Sequence, residues 1–187
     1  NQLLDEAGWV MNESTGIREK DGEPLNLLLT LESDYSATSM PTAEVIKSQL
    51  AEVGIDVTIY GTEQMQWYAD YLEGKFDLTL WHSQFAFASP HCWFTPMDSM
   101  VPQTPSLPGI EGSDEFLATI KDLTNMVDEQ EVRDTYTYLF NFDIGTVLDI
   151  PLTYQKDMIV YNTDKISGYT FTGTPYFFDI LSLKPAE

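Results

Sequence analysis

The side chains best suited to chemistry in this sequence lie in one aromatic stretch, residues 81–93. The stretch contains both histidines, His82 and His91, and the only cysteine, Cys92. Neutral imidazole binds nickel, zinc or copper, and one histidine can complete a site whose other ligands belong to a bound chelator. The alternative interpretation is that His82 is a partly buried hydrogen-bonding residue, that His91 caps a loop and that Cys92 is packed.

The elements before this stretch place it just beyond the end of a strand. A helical spacing over residues 63–73 predicts a buried face made of Met65, Tyr68, Ala69 and Leu72. Gly74 can end that helix in a left-handed turn, and residues 76–80 then alternate apolar and polar side chains like a half-buried strand. Since open α/β sheets bind ligands beyond the carboxyl ends of their strands, we expect the ligand site here. Trp67, Trp81 and Trp93 could line it, with core filling as the alternative.

The rest of the chain predicts an α/β fold with a mixed sheet flanked by helices. A strand over residues 25–31, a helix from Pro41 to Gly54 and a strand over residues 55–60 form a βαβ unit. A loop or ribbon is predicted over residues 12–24 and a surface loop over residues 96–112. Ser113 is the predicted N-cap of a helix whose core face is Phe116, Ile120, Leu123 and Val127. A helix over residues 129–147 follows, then strands over residues 149–154, 158–161 and 178–183.

Composition and motifs exclude several classes of function. Thirty acidic residues against nine basic ones give a formal charge of −21, which repels nucleic acid and anionic membrane surfaces. No apolar run approaches the roughly 20 residues that cross a bilayer. The sequence contains no GxSxG, HExxH or phosphate-loop motif, so we do not expect an enzyme. A carboxylate-dependent hydrolase, which needs a deep pocket, and a structural adhesion module remain the alternatives from other classes.

Five segments, in order, resemble the peptide/nickel family of extracytoplasmic solute-binding proteins, which serve ATP-driven (ABC) importers. They are LLDEAGW with GIREKDGEPLNLLLT, AEVIKSQLAEVGIDVTI, WYADYLEGKFDLTLWHSQFAFASPH, IPLTY and GTPYFFDIL. Each motif is weak alone, but together they cover nearly the whole chain. The nickel-binding branch is the most similar, through the helix–EGKF–strand run and the Ser89-Pro90-His91 sequence, where that branch tends to have Asp-Pro-His.

This resemblance implies one lobe of a periplasmic-binding-protein type II-like fold. Residues 1–149 would be the C-terminal ligand-binding lobe, and residues 150–187 a tail whose strands return toward a missing N-terminal lobe. A leader is not present in this chain, and the protein would act outside the cytoplasm, in the periplasm or as a surface lipoprotein. The implied partners are a membrane permease, the missing lobe, and a small-molecule, metal-chelate or peptide ligand. No resident cofactor is required, and nickel or a metal chelate would be cargo.

The resemblance also assigns ligand contacts, with departures from the family pattern. Ser89 replaces an acidic residue that receives the ligand's amino terminus in peptide-binding members, which disfavours ordinary peptides. In the nickel branch a stacking tryptophan falls at Gln84, beside Phe85, and a metal-ligating histidine falls near Pro102, where this chain has none. His91 or His82 would therefore have to ligate the metal. The implied ligand-binding residues are Trp81, His82, Gln84, Phe85, Ser89, His91, Tyr68 and Thr174.

Overall fold

The computed structural model describes residues 1–82, 90–98, 104–153, 160–170 and 180–186. It confirms the α/β class: a three-stranded parallel sheet is ordered β5 (Asp56–Thr62), β4 (Asn26–Glu32), β6 (Leu78–Leu80), and the antiparallel strands form separate ribbons. The helices are α1 (Gln2–Glu6), α2 (Ser39–Ala51), α3 (Gln64–Leu72), α4 (His91–Phe94), α5 (Ser113–Leu123) and α6 (Glu129–Gly145). The strands are β1 (Val10–Asn12), β2 (Ile17–Lys20), β3 (Glu23–Pro24), β4 (Asn26–Glu32), β5 (Asp56–Thr62), β6 (Leu78–Leu80), β7 (Ile166–Gly168) and β8 (Lys184–Pro185).

The predicted βαβ unit is confirmed. Strands β4 and β5 pair in parallel from Asn26 opposite Asp56 to Glu32 opposite Thr62, and α2 connects them. Apolar side chains from all three elements meet in one core, which consists of Leu29, Leu31, Ala43, Ile55 and Val57. The near-continuous apolar sequence of β4 is typical of a strand that is covered on both faces.

A buried cation holds the N-terminal ribbon, β1 to β3, against this unit. Arg18 on β2 is only 3% exposed and donates hydrogen bonds to the Val53 carbonyl at 2.8 Å and to Asp5 at 2.6 Å. Gly54 lies beneath it with φ of +82°, and a Cβ at this position would come within 2.9 Å of the Arg18 Cγ atom. Both the backbone angle and the close approach therefore require glycine where α2 turns into β5.

The predicted buried face of α3 is wrong. Met65 is 72% exposed, whereas Trp67, Asp70 and Tyr71 are the buried residues of the helix. Trp67 and Tyr71 lie one turn apart and stack, so the two largest side chains of the helix define its inner face. The predicted end of the helix is confirmed, because Gly74 has φ of +68°.

A second, aromatic-rich core lies in the helical part of the chain. The buried residues Phe94, Phe116, Ile120, Leu123 and Leu139 form it together with Met97 and Leu107. Met97 and Leu107 belong to short 3₁₀ turns, Thr95–Asp98 and Leu107–Gly109, so the segment predicted as a surface loop also supplies core residues. The N-cap of α5 is Gly112 rather than Ser113, and Val127 is 95% exposed because α5 ends before it.

The strand predictions after α6 are corrected by the structure where it describes them. Residues 149–153 form no strand, and residues 180–182 form a 3₁₀ turn, followed by the pairing of β8 with β7. An apolar strand pattern needs a partner ladder, and no described residue pairs with 149–153. Ile150, Leu152, Val160 and Leu181 are exposed. Among the described residues, no helix combines the length and the apolar character that are needed to cross a bilayer.

Candidate functional site

The carboxyl ends of β4 and β6 form the edge of the sheet where polar and aromatic side chains converge. Strand β4 continues through α2 to β5 on one side, while β6 pairs with its other side, from Leu29 opposite Leu78 to Leu31 opposite Leu80. Ligands of open α/β sheets bind outside the carboxyl ends of strands where the connections diverge in this way. The segment that the sequence predicts to bind ligand therefore begins at the carboxyl edge of the sheet.

His82 leaves β6 at this edge and lies against residues that follow β4. Its imidazole stacks on Tyr35 with a centroid separation of 3.8 Å, and its Nε2 atom lies 3.4 Å from the Ser39 hydroxyl. Partial burial lowers the pKa of His82, which keeps the ring neutral near pH 7. A neutral imidazole can accept a hydrogen bond or bind a transition metal.

Beside this pair lies a surface that we call the aromatic wall, formed by Trp67, Tyr71 and Trp81. The Trp81 ring lies 5.1 Å from Trp67 and 4.9 Å from Tyr71, between centroids, yet Trp81 remains 39% exposed. Trp67 is fixed from behind, because its indole N–H donates to the Thr79 hydroxyl at 3.2 Å. Trp81 is thus supported by two buried rings, and its remaining surface is free to stack on a solute.

Tyr71 connects the aromatic wall to the helical part of the chain. Burial raises the pKa of Tyr71 to about 12, and its hydroxyl shares a hydrogen bond with Thr104, in the segment before α5. The negative charge of the Asp149 carboxyl group also raises the pKa of the Tyr71 phenol. Tyr71 is therefore held both by the other rings of the aromatic wall and by the segment before α5.

His91 occupies a different place from His82. It is the first residue of α4 and lines a hollow of about 290 Å³ with Asp98 and Lys121, whose side chains pair at 3.1 Å. Within the described ranges, no three His, Cys, Asp or Glu side chains are placed to hold a metal ion. The prediction that His91 or His82 ligates a metal stays a prediction, and any chelated metal would bring most of its own ligands.

The structure brings together part of the predicted set of ligand-binding residues. Trp81 and His82 share the sheet edge, and Tyr68 lies next to the aromatic wall, with its ring 6.5 Å from Tyr71. Gln84, Phe85, Ser89 and Thr174, also predicted to bind ligand, lie outside the described residues.

Sequence reasoning missed Tyr35, Ser39 and the role of Tyr71. The position of Ser33-Asp34-Tyr35 directly after a buried strand was a usable signal, because that loop must share an edge with the loop that follows β6. The signal for Tyr71 was its spacing of four residues from Trp67 on α3.

The exposed part of Trp81 and the Tyr35–His82 pair thus lie at the carboxyl edge of a parallel α/β sheet, which is where such sheets bind ligands. The chain belongs to the bacterial extracellular solute-binding proteins, family 5, because the model of that family's middle region matches residues 1–104. The resemblance seen in the sequence is confirmed.

The relatives include both nickel-binding and oligopeptide-binding proteins. The nickel-binding periplasmic protein of Escherichia coli is 26% identical over 84% of this chain and 30% of its own length. The oligopeptide-binding protein OppA of Lactococcus lactis is 39% identical over 35% of this chain and 11% of its own length. These relatives are named as binding proteins, not as enzymes.

A solved structure agrees with the fold over nearly the whole chain. NikA from Brucella suis in complex with Fe(III)-EDTA superposes with a TM-score of 0.87 and 28% identity, covering 98% of this chain and 37% of NikA. The oligopeptide-binding protein AppA from Bacillus subtilis shares the fold at a TM-score of 0.64 and 18% identity, covering 100% of this chain and 36% of AppA. The chain spans about a third of the length of the Escherichia coli nickel-binding periplasmic protein and of NikA.

Proposed function

We propose that the chain is the C-terminal lobe of the solute-binding component of an ABC importer, acting outside the cytoplasm. Residues 1–149 form the lobe, and the tail over residues 150–187 returns toward the preceding lobe of the same protein. A solute is captured in the cleft between the lobes and presented to a membrane permease. The observation that carries this proposal is Trp81, which is half-exposed on two buried rings beside His82.

The surface chemistry suits capture without covalent change. Stacking on Trp81 would supply apolar contact, while Tyr35, Ser39 and His82 offer a few directed polar groups. Closure of two lobes by a hinge would bury the solute between them. The tail fits the same arrangement, because the exposed apolar residues Ile150, Leu152 and Val160 would be covered by the other lobe.

We propose a metal chelate, with nickel as the metal, as the first class of solute. In sequence, the nickel-binding periplasmic protein of Escherichia coli matches 84% of the chain, whereas OppA matches 35% of it. A neutral His82 suits a nickel complex that already carries other ligands. His91 is the second candidate ligand, and the metal is cargo rather than a resident cofactor. An oligopeptide or dipeptide is the alternative class.

Calorimetry on the intact protein tests the choice of solute with three defined probes: Fe(III)-EDTA, nickel(II) with L-histidine, and a nonapeptide. We expect binding of at least one chelate and none of the nonapeptide. Binding of the nonapeptide alone would replace the chelate by the peptide class, and mass spectrometry of solute retained through purification would then identify it. Failure of all three probes together with no retained solute contradicts capture by this site.

The 187 residues alone give a second test, because a single lobe presents only half of the contacts. We expect weak or undetectable binding of the same probes by this chain without its partner lobe. Tight binding by the isolated chain would show that the site is complete within it and would contradict an interlobe cleft.

A further inference from the structure

Asp143, near the end of α6, has a buried carboxyl group with one oxygen that lacks a hydrogen-bond donor. Asp143 is 3% exposed, and its Oδ2 atom accepts a hydrogen bond from the Trp93 indole N–H at 3.0 Å. Its Oδ1 atom is also buried and receives no hydrogen bond from the described residues. A buried carboxylate oxygen without a hydrogen-bond donor is strongly unfavourable. The Oδ1 atom of Asp143 therefore requires a further hydrogen-bond donor.

The neighbour of this carboxyl group is a second carboxyl group. The half-buried carboxyl group of Asp149 lies close enough to that of Asp143 for each to shift the pKa of the other. Two ionised carboxylates cannot hydrogen-bond each other, since neither has a hydrogen to donate. One proton held between them supplies the donor, as in carboxyl pairs that share a site.

The turn after α6 brings the two carboxyl groups together. The Leu148 N–H donates to the Asp143 carbonyl at 3.0 Å and the Val147 N–H to the Ile144 carbonyl at 3.2 Å, which closes a left-handed helix end of the Schellman type. Val147 occupies the position that glycine usually takes, with φ of +58°, which is unfavourable for a β-branched residue. Such a turn persists only when surrounding contacts hold it, and the contact between the carboxyl groups is one of them.

No opposite charge compensates the pair within the described residues. Asp143 accepts the hydrogen bond of the Trp93 indole from α4, and the phenol of Tyr71 on α3, whose pKa burial raises, is a neutral group. The last turn of α6 contains no basic residue, and the carbonyl groups at a helix C-terminus disfavour negative charge. The basic side chains of the helical part and of α3 pair elsewhere: Lys121 with Asp98, Arg133 with Glu129, and Lys75 with Asp70 and Glu73.

We propose that Asp143 and Asp149 form a proton-binding site that holds one proton in the folded protein and releases it as the pH rises, loosening the segment that leaves α6. The site controls residues 147–153, which lead from the lobe into the tail. Burial and, to a smaller extent, the charge of Asp149 raise the pKa of Tyr71 in the aromatic wall. This inference does not depend on the identity of the solute.

The sign of the pH effect follows from burial. Burial, together with the charge of Asp143, raises the pKa of Asp149 from its ordinary 3.8 to about 7, and burial also raises the pKa of Asp143. The folded protein then binds a proton that the unfolded chain releases near pH 4. The stabilisation is complete below about pH 4 and is lost as the pH rises toward 7.

Unfolding measured as a function of pH on the intact protein and on Asp149→Asn tests the site. The asparagine amide can donate to Asp143 at every pH, so the variant removes the titration but keeps the contact. Relative to the variant, the folding equilibrium constant of the unmodified protein should fall by up to roughly tenfold per pH unit between about pH 4 and 7. Asp122→Asn, which removes one exposed carboxylate from α5, is the matched control and should follow the unmodified protein. Parallel pH profiles for the unmodified protein and Asp149→Asn would overturn the proposal.

Carboxyl ¹³C NMR of the unmodified protein provides a measurement that does not depend on whether the variant folds. We expect one protonated aspartate at pH 6 that ionises as the pH rises through about 7, with faster amide exchange over residues 147–153 above that pH. Aspartates that are all ionised at pH 6 would overturn the shared proton. Amide exchange in residues 147–153 with the same pH dependence as in α2, which belongs to the βαβ unit, would overturn the effect of the proton on this segment.

Discussion

The sheet unit around β4 and β5 and the helical unit around α5 and α6 treat buried polar groups in opposite ways. In the sheet unit, buried Arg18 donates to several oxygens, including Asp5 and the Val53 carbonyl, so its hydrogens are satisfied at every ordinary pH. In the helical unit, buried Asp143 has one indole donor and a second carboxyl group beside it. The polar contacts of the sheet unit therefore do not depend on a shared proton, whereas in our proposal the end of α6 depends on the protonation of Asp143 and Asp149.

The hydrophobic cores of the two units also differ, in the size and shape of their side chains. The sheet core consists of small and medium aliphatic side chains such as Leu29 and Val57, packed by a regular βαβ unit. The helical core depends on large rings: Phe94 and Phe116 meet edge to face at 6.0 Å, and Phe116 stacks on Phe142 at 4.4 Å. The aromatic wall lies on the sheet unit but is connected to the helical unit through Tyr71 and Thr104.

The largest expected effect is that of Phe116→Ala, which would remove the ring at the centre of the helical core. Phe116 is 0% exposed, so the substitution should destabilise that unit by about 3–5 kcal/mol. Hydrogen exchange should show the loss of protection in residues 113–145 and little change in β4 and β5. Val127→Ala is the control at a 95% exposed site and should change stability by less than about 0.5 kcal/mol. Equal loss of protection in both units would contradict the division into two cores.

Arg18→Met tests the comparison in the sheet unit. The substitution keeps much of the buried stem but leaves the Val53 carbonyl without its donor, so we expect a loss of roughly 1.5–3 kcal/mol. The loss should be the same at pH 5 and pH 8, because the Val53 carbonyl that loses its donor has no proton to gain or lose. Lys20→Met, on the same strand and exposed, is the matched control for urea unfolding. A pH-dependent loss for Arg18→Met would remove the contrast between the two units.

The smallest expected effect concerns the start of α6. Asp128 accepts hydrogen bonds from the Gln130 and Glu131 amides at 2.9 Å each, so Asp128→Ala should cost about 1 kcal/mol in thermal or urea unfolding. Asp134→Ala removes the same charge six residues later in α6 and should cost less. Equal losses for the two variants would show that charge, rather than capping, is responsible.

The sequence predicted the sheet unit better than the site. Continuous apolar residues in β4 and the Gly54 stop specify the βαβ unit locally, and the structure confirms them. The face of α3 was wrong because apolar periodicity counts Met65 and Leu72 equally with aromatic residues, whereas ring stacking against Trp81 decides the packing. Tyr35 and His82 are 47 positions apart along the chain, and only strand pairing brings them together. The carboxyl pair was invisible among 30 acidic residues, since burial alone distinguishes it.

Binding by Trp81→Ala, measured by calorimetry on the intact protein, tests the central claim that the aromatic wall holds the solute. The probe is whichever of Fe(III)-EDTA, nickel(II) with L-histidine and the nonapeptide binds the unmodified protein. Loss of a buried ring contact of about 2 kcal/mol predicts affinity roughly 30-fold weaker. Met65→Ala, on the exposed face of α3, should bind as the unmodified protein does. Unchanged affinity in folded Trp81→Ala would contradict the account.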